Sequence, residues 1–206
     1  MSSIRTYPLS DCIAFRKTKE AFGGLSNMAA GYSLYVNDVI IPTAEHLYQA
    51  CRFPNHPDIQ WDILNEKSPM KAKWIGRAKL KATRKDWEEI QFKVMQWVLE
   101  VKLSQNWESF SSLLKSTGDK SIVEVTPHPK VWGAVKNGDF YEGTNALGRL
   151  LMYLRETYVK NNNRNHCVQP LEIPQFNFMG ISIGIICDED KVITLEGTSP
   201  REFVFA

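Results

Sequence analysis

The residues best suited to chemistry stand on one short segment, Thr43-Ala-Glu45-His46-Leu-Tyr48-Gln49-Ala-Cys51-Arg52-Phe53. Glu45, Gln49 and Arg52 follow at i, i+4 and i+7, so a helix through them carries one polar stripe. Ala44, Leu47, Tyr48 and Cys51 share the apolar face of the same helix. Glu45 falls in the first turn, where the helix dipole and free amides favour an ionised carboxylate. Such a group stabilises a developing cation, directs water as a base or attacks as a nucleophile, and makes a poor acid. The plainer alternative is a first-turn glutamate paired with Arg52.

Two further clusters add binding chemistry. Val131-Trp132-Gly133 and Gly143-Thr-Asn145-Ala-Leu-Gly148-Arg149 bracket a long connection from Pro127 to Gly143. Their glycines permit close backbone approach to a ligand, and the amides opening the following helix suit a phosphate. Trp132 either stacks on a base or sugar face or fills the core. No Walker or Rossmann spacing is present. Between Lys67 and Lys85 stand eight basic residues and no acid, beside Trp74 and Trp87. That band fits phosphate or nucleic acid, against the alternative of a solvated helix face. His46, His56, His128 and His166 fall in no metal-ligand spacing, so no metal or cofactor is expected. Cys51, on the apolar face, reads as a buried thiol, and no Gly-x-Ser-x-Gly elbow exists.

Around these residues the patterning predicts a frame. Tyr32–Val36 and Val39–Ile41 flank Asn37-Asp38 as a tight hairpin, and Thr43 is placed to cap a helix from Ala44 to about Phe53. Shorter helices follow His56-Pro57 and Ser68-Pro69. Trp87, Ile90, Val94, Trp97 and Val101 mark a long amphipathic helix over about Asp86–Leu103. Phe110, Leu113 and Leu114 continue a helical pattern to Thr117-Gly118, and Ser121–Val125 reads as a short strand. The Pro127–Gly143 connection reads as an irregular, functional loop. Thr144 can cap a last helix whose face is Leu147, Leu150, Leu151, Leu154 and Tyr158. After the linker Asn161–Asn165, Ile181–Cys187 and Lys191–Leu195 predict a second hairpin turned at Asp188–Asp190. The sum is a helix-rich α+β fold, one domain with a small N-terminal β-hairpin and a C-terminal β extension, not alternating βαβ units.

Composition bounds the rest. A chain of 206 residues with 43% hydrophobic and 23% charged residues builds a core and is not disordered throughout. A net charge of +2 excludes a histone-like protein. Yet it conceals the Lys67–Lys85 band and a tail with six acids and two bases from Leu171 onward. The N-terminus lacks an export pattern, and the longest apolar run, Ile181–Cys187, is far short of the about 20 residues of a membrane span. Cys12, Cys51, Cys167 and Cys187 lie far apart and read as reduced thiols in a cytoplasmic protein with no membrane partner.

Six segments in order carry a resemblance. They are Phe22-Gly-Gly-Leu-Ser-Asn27, Pro42-Thr-Ala-Glu45 through Phe53, Met70 to Arg77, Lys81 to Trp87, Trp132-Gly133, and Gly143-x-Asn145-x-Leu-Gly148 through Arg155. In these the chain resembles the YbiA-like, or NADAR-domain, family from about Phe15 to Tyr158, with a catalytic domain over 1–160 and a linker and extension over 161–206 packing on it. The resemblance implies an N-glycosidase that hydrolyses a ribosyl C1–N bond. Some relatives split phosphoribosyl intermediates of riboflavin biosynthesis. Others remove ADP-ribose from guanine bases in DNA, opposing an ADP-ribosyltransferase toxin of the DarT type. It also implies Glu45 as the catalytic carboxylate, with Asn27, His46, Gln49, Trp87, Trp132, Gly133, Asn145 and Gly148 around sugar and base. Lys81, Arg84 and Arg52 would meet phosphates, and Lys81 could also form a Schiff base with a ring-opened ribose.

One departure stands out. Compact members commonly carry Asp directly after Trp-Gly, where this chain has Ala134 and a longer loop, so Asp139 or Glu142 is the candidate to replace it. The longer loop and the tail resemble the members that remove ADP-ribose. The expected substrate is therefore ADP-ribosylated DNA, with a riboflavin intermediate, or non-catalytic binding of NAD or ADP-ribose, as the alternatives.

Overall fold

A computed structural model describes residues 3–128 and 131–191. In chain order its elements are β1 (Arg5–Pro8), β2 (Cys12–Phe15), β3 (Leu34–Val36), β4 (Val39–Ile41), α1 (Ala44–Ala50), α2 (Pro57–Asn65), α3 (Pro69–Ala78), α4 (Trp87–Gln105) and α5 (Trp107–Ser116). There follow β5 (Ser121–Glu124), β6 (Val135–Asn137), β7 (Phe140–Gly143), α6 (Ala146–Leu154), β8 (Cys167–Val168), β9 (Asn177–Phe178), β10 (Ile181–Ser182) and β11 (Ile186–Cys187). This is the α+β mixture that the patterning predicts. The described residues form two compact units: 3–29 with 107–164, and 30–106 with 165–191. Among them no helix is long and apolar enough to cross a membrane.

The second unit is built on helices. Asn37 and Asp38 take positive φ (49° and 64°), giving the tight β3–β4 turn whose strands bury Leu34, Val36, Val39 and Ile41. Proline occupies the first position of α2 and of α3, where its missing N–H is no loss, and Ser68 Oγ accepts from Lys71 N at 3.4 Å. Phe53, just past α1, packs with Ile59 and Ile63 of α2 and Ala72 of α3 in one cluster. Along α4 the periodic Ile90, Val94, Trp97, Val98 and Val101 are all buried. So is Lys102, whose Nζ lies 4.5 Å over the Tyr32 ring and whose ammonium is pushed down to about 7 by burial.

The segment 165–191 is integral to this unit. Phe176 meets Trp97 edge-on with ring centroids 4.9 Å apart. Gln60 donates to Asn177 O (3.3 Å) and accepts from Met179 N (2.7 Å), and Asn37 Nδ2 donates to Phe178 O and Ile181 O. Within Ile181–Cys187, the first arm of the expected hairpin, the described residues form two small pairings, β9–β10 and β8–β11. Residues 189–191 are helical rather than a turn, because Asp190 Oδ2 takes the Cys187 amide at 2.7 Å. The strand expected over Lys191–Leu195 lies outside the described residues beyond 191.

In the first unit β2 pairs parallel with β5, and β1, β7 and β6 form a three-stranded antiparallel sheet. The Pro127–Gly143 connection is thus not irregular throughout. It contains the β6–β7 hairpin, turned at Gly138 (φ 56°) and paired with the chain's first strand. Ala134 packs with Tyr7 and Val123 in the core. α6 buries Leu147, Leu150, Leu151 and Leu154 and continues as a π turn through Arg155–Val159.

One expectation about cysteine is overturned. Cys167 and Cys187 are directly opposed on β8 and β11 and form a disulfide. Folding brings together residues that are 20 apart in sequence, which spacing alone does not reveal. Cys12 is half-buried and Cys51 buried, and burial pushes both thiols up, Cys51 to about 12. Native, unreduced protein treated with iodoacetamide is therefore expected to take label at Cys12 alone. Cys51 should react only after unfolding, and Cys167 and Cys187 only after reduction, as read by peptide mass.

Candidate functional site

α1 is seven residues long and every one of them is buried, the polar stripe included. Glu45, Gln49 and Arg52 form a hydrogen-bonded row. Gln49 Nε2 donates to Glu45 Oε1 at 2.9 Å, and Arg52 Nη1 donates to Gln49 Oε1 at 3.1 Å. Arginine only donates, so it sets the direction of the Gln49 amide and turns the NH2 toward Glu45. Arg52 Nη2 continues the row to Thr83 Oγ1 at 3.3 Å. Glu45 and Arg52 are thus not paired directly: Gln49 stands between them.

The cation that meets Glu45 is Lys73, whose Nζ lies 3.3 Å from Oε1. It projects from α3, which packs on α1. Two partners converge on Oε1, and Oε2 makes no hydrogen bond among the described residues. That oxygen is the one left for a substrate or a water. Gly76 makes the packing possible: a Cβ there would lie 2.5 Å from Gln49 Oε1 and 3.5 Å from Arg52 Nη1. Lys73 and Gly76 were missed as site residues because the contact depends on how two helices cross. The available signal was a lysine and a glycine three apart on the basic helix.

Trp87 and Tyr48 enclose the row, with ring centroids 5.1 Å apart, and the Arg52 guanidinium lies 5.6 Å from the Trp87 ring. Burial pushes Arg52 below the usual guanidinium range and raises the Tyr48 phenol. Arg52 Nε is buried without a partner among the described residues.

Other candidates have different surroundings. His46 is fully buried, with Nδ1 2.8 Å from Thr43 Oγ1 and Nε2 2.8 Å from Glu66 O. Both ring nitrogens are occupied by protein groups, and the Thr43 hydroxyl serves the ring instead of capping α1. Arg84 sits bidentate on Asp86 (2.7 and 2.9 Å) and donates to Pro174 O at 2.6 Å, so its fork is filled without a phosphate and holds the Asp86 carboxyl below the usual range. Lys81 is exposed on a 3-10 turn over Leu80–Ala82. Of the basic band, Lys67, Lys71, Arg77, Lys79, Lys81 and Lys85 are exposed, and Trp74 beside them is 56% exposed.

The remaining candidates belong to the first unit. The amides of Asn145, Ala146 and Leu147, expected to face a phosphate, donate to Gly133 O, Val131 O and Trp132 O at 3.0–3.1 Å. The loop carbonyls therefore cap α6. Asn145, not Thr144, is the residue before α6. It takes φ 48° and is fully buried, its Oδ1 accepting from Glu124 N (3.1 Å) and its Nδ2 donating to Ile122 O (2.8 Å). Added Cβ atoms would lie 2.1 Å from Ile122 O at Gly148 and 2.5 Å from Glu124 O at Gly133. These glycines allow the close approach of α6 and the loop to β5. Asn27 is buried and Trp132 half-buried. Asp139 is exposed in the β6–β7 turn, and Glu142 accepts from Asn137 Nδ2 at 3.0 Å. Ala134 lies in the core, so its side chain takes no part in a pocket.

The model of the NADAR domain matches residues 14–158. N-glycosidase YbiA of Escherichia coli is 37% identical over 144 residues, which is 70% of this chain and 86% of that protein. The chloroplastic riboflavin biosynthesis protein PYRR of Zea mays is 37% identical over 160 residues, 71% of this chain, and the match spans only 25% of that longer protein. The NMR structure of Escherichia coli YbiA superposes with a TM-score of 0.63 at 35% identity, covering 76% of this chain and 89% of that one.

Two outcomes are expected of this geometry. Gly148→Ala forces a Cβ onto the β5 backbone and should cost about 1–3 kcal/mol in denaturant unfolding. Burial lowers the His46 pKa, so between that value and the unfolded value near 6.5 the unfolded chain binds more protons. Stability is therefore present above about pH 6.5 and is lost as pH falls through the folded pKa. Melting temperature from pH 7.5 to 5.5 should fall less steeply in His46→Gln than in wild type.

Proposed function

The chain belongs to the NADAR family, and from that premise we propose that it is an N-glycosidase that hydrolyses a ribosyl C1–N bond at Glu45, with ADP-ribose on guanine in DNA as its substrate. The observation that carries the chemistry is the buried carboxylate held at one oxygen by Gln49 and Lys73, with Oε2 left open. Cleavage of the C1–N bond builds oxocarbenium character at the sugar. A fixed carboxylate in a water-poor site stabilises that charge and directs the incoming water. Lys73 and Gln49 hold the carboxylate in place, and Arg52 holds Gln49. If the ribose ring opens to an imine, the amine beside Glu45 is Lys73, and the exposed Lys81 gives up that part.

The choice of DNA is supported by the six exposed cations and the exposed Trp74 on and around α3, the helix that also carries Lys73. A DarT-type ADP-ribosyltransferase is then the activity it opposes. The second reading, a phosphoribosyl intermediate, is favoured by the maize relative, whose name places that protein in riboflavin biosynthesis.

Wild-type protein is expected to release ADP-ribose from modified single-stranded DNA. Glu45→Gln should reduce the rate by about 10²–10⁴ while the protein stays folded. Neutralising Lys71, Arg77 and Lys81 together should weaken DNA binding and flatten its salt dependence by about 0.7 log units per cation. Release of ribose 5-phosphate from a phosphoribosyl pyrimidine, with no ADP-ribose release, would move the assignment to the second reading.

A further inference from the structure

We propose that the Cys167–Cys187 bond is a reversible redox latch: a dithiol opens it, the segment it encloses loosens, and turnover at Glu45 falls. The effect on turnover rests on the N-glycosidase reading. The latch itself stands on the geometry of the second unit.

The bond is placed where a reductant can reach it. Cys167 is exposed and Cys187 half-buried, so a thiolate can approach the sulfur of Cys167 in the folded chain. The bond joins β8 to β11, a pairing of two residues from each strand. So short a ladder does not persist by itself, and the covalent link is what closes the segment. Weaker contacts remain when it opens. Ser104 Oγ donates to His166 O at 3.2 Å, the Asp188 amide donates to the same oxygen at 2.8 Å, and Gln105 Nε2 donates to Cys187 O at 3.3 Å. They keep the two thiols within reach of each other, so an oxidised dithiol can restore the bond.

The enclosed residues, 168–186, lie past residue 158, where the family match ends. They grip the rest of the unit through Gln60, which meets Asn177 O and Met179 N, through Asn37, which meets Phe178 O and Ile181 O, and through Phe176 on Trp97. They also hold Arg84, whose Nη2 donates to Pro174 O at 2.6 Å and whose Nη1 donates to Gln175 O at 3.5 Å. A cross-link across 20 residues restricts the opened segment and so disfavours opening. Reduction removes that restriction and frees Arg84 from two carbonyls.

Arg84 and its neighbour Thr83 hold Arg52 at two points. The Arg84 amide donates to Arg52 O at 2.9 Å, and Thr83 Oγ1 accepts from Arg52 Nη2 at 3.3 Å. Arg52 in turn sets the Gln49 amide that donates to Glu45. The stretch 82–86 is therefore the element that the latch steadies and the carboxylate row depends on. In the redox step one thiolate of the dithiol attacks Cys167 Sγ, the S–S bond breaks, and Cys187 leaves as a thiolate and takes a proton. The second thiol then displaces Cys167 from the mixed disulfide. Two electrons and two protons pass to the cysteines, and the dithiol ends as a disulfide.

The full chain, titrated with mixtures of dithiothreitol and its oxidised form, tests the assignment. Iodoacetamide labelling reads the bond, amide hydrogen exchange reads opening, and ADP-ribose release from modified single-stranded DNA reads turnover. Reduction is expected to speed exchange in 172–181 by roughly 10- to 100-fold, and exchange in 82–86 should rise with it. Release should fall by roughly 3- to 10-fold, and reoxidation should restore all three readings. The double variant Cys167→Ser/Cys187→Ser should match reduced wild type and ignore dithiothreitol while its far-ultraviolet dichroism stays native. A bond that opens only in denaturant, or exchange in 172–181 that does not change on reduction, overturns the proposal. So does unchanged release by an active enzyme. If exchange responds but oxidised wild type cleaves no N-riboside, the N-glycosidase reading fails and the latch stands.

Discussion

The second unit is organised around one buried carboxylate. A glutamate in a water-poor site is costly unless it is paired and hydrogen-bonded. Glu45 meets that requirement at Oε1 alone, through Gln49 and Lys73. Such a buried pair contributes little to stability against an apolar replacement, and removing one partner leaves an uncompensated charge. The arrangement is therefore better understood as positioning than as glue. It also explains the neighbours. Arg52 fixes the sense of the Gln49 amide, and Gly76 lets α3 approach closely enough for Lys73 to reach.

The first unit answers a different constraint, the satisfaction of backbone groups at the start of α6. Its amides are met by the carbonyls of residues 131–133, and Asn145 at φ 48° turns its carboxamide onto the β5 backbone. Gly133 and Gly148 are small because β5 runs against them. Glycine-rich loops before helices invite a phosphate-binding interpretation from sequence. Here the same residues close the fold on itself.

The segment after Arg164 is built into the second unit. It packs Phe176 on Trp97, satisfies Gln60 and Asn37, and supplies carbonyls to Arg84. The Cys167–Cys187 bond closes its ends. A residue that looked like a phosphate ligand, Arg84, becomes a structural clasp between that segment and the chain after α3.

The helices, the Asn37-Asp38 turn, the two proline-started helices and the Glu45-Gln49-Arg52 stripe were legible in the sequence, because each depends on periodicity or local backbone preference. So was the family, from the order of its motifs. Not legible were β1 and β2, whose few residues carry no clear alternation and whose partners lie more than 100 residues away. Tertiary structure alone decided that Lys73 is the cation at Glu45, that His46 is enclosed, that Asn145 is a clamp, and that two distant cysteines are bonded. Local pattern determines which face of a helix is polar. Which partner meets that face depends on how separate elements cross, and that is a property of packing.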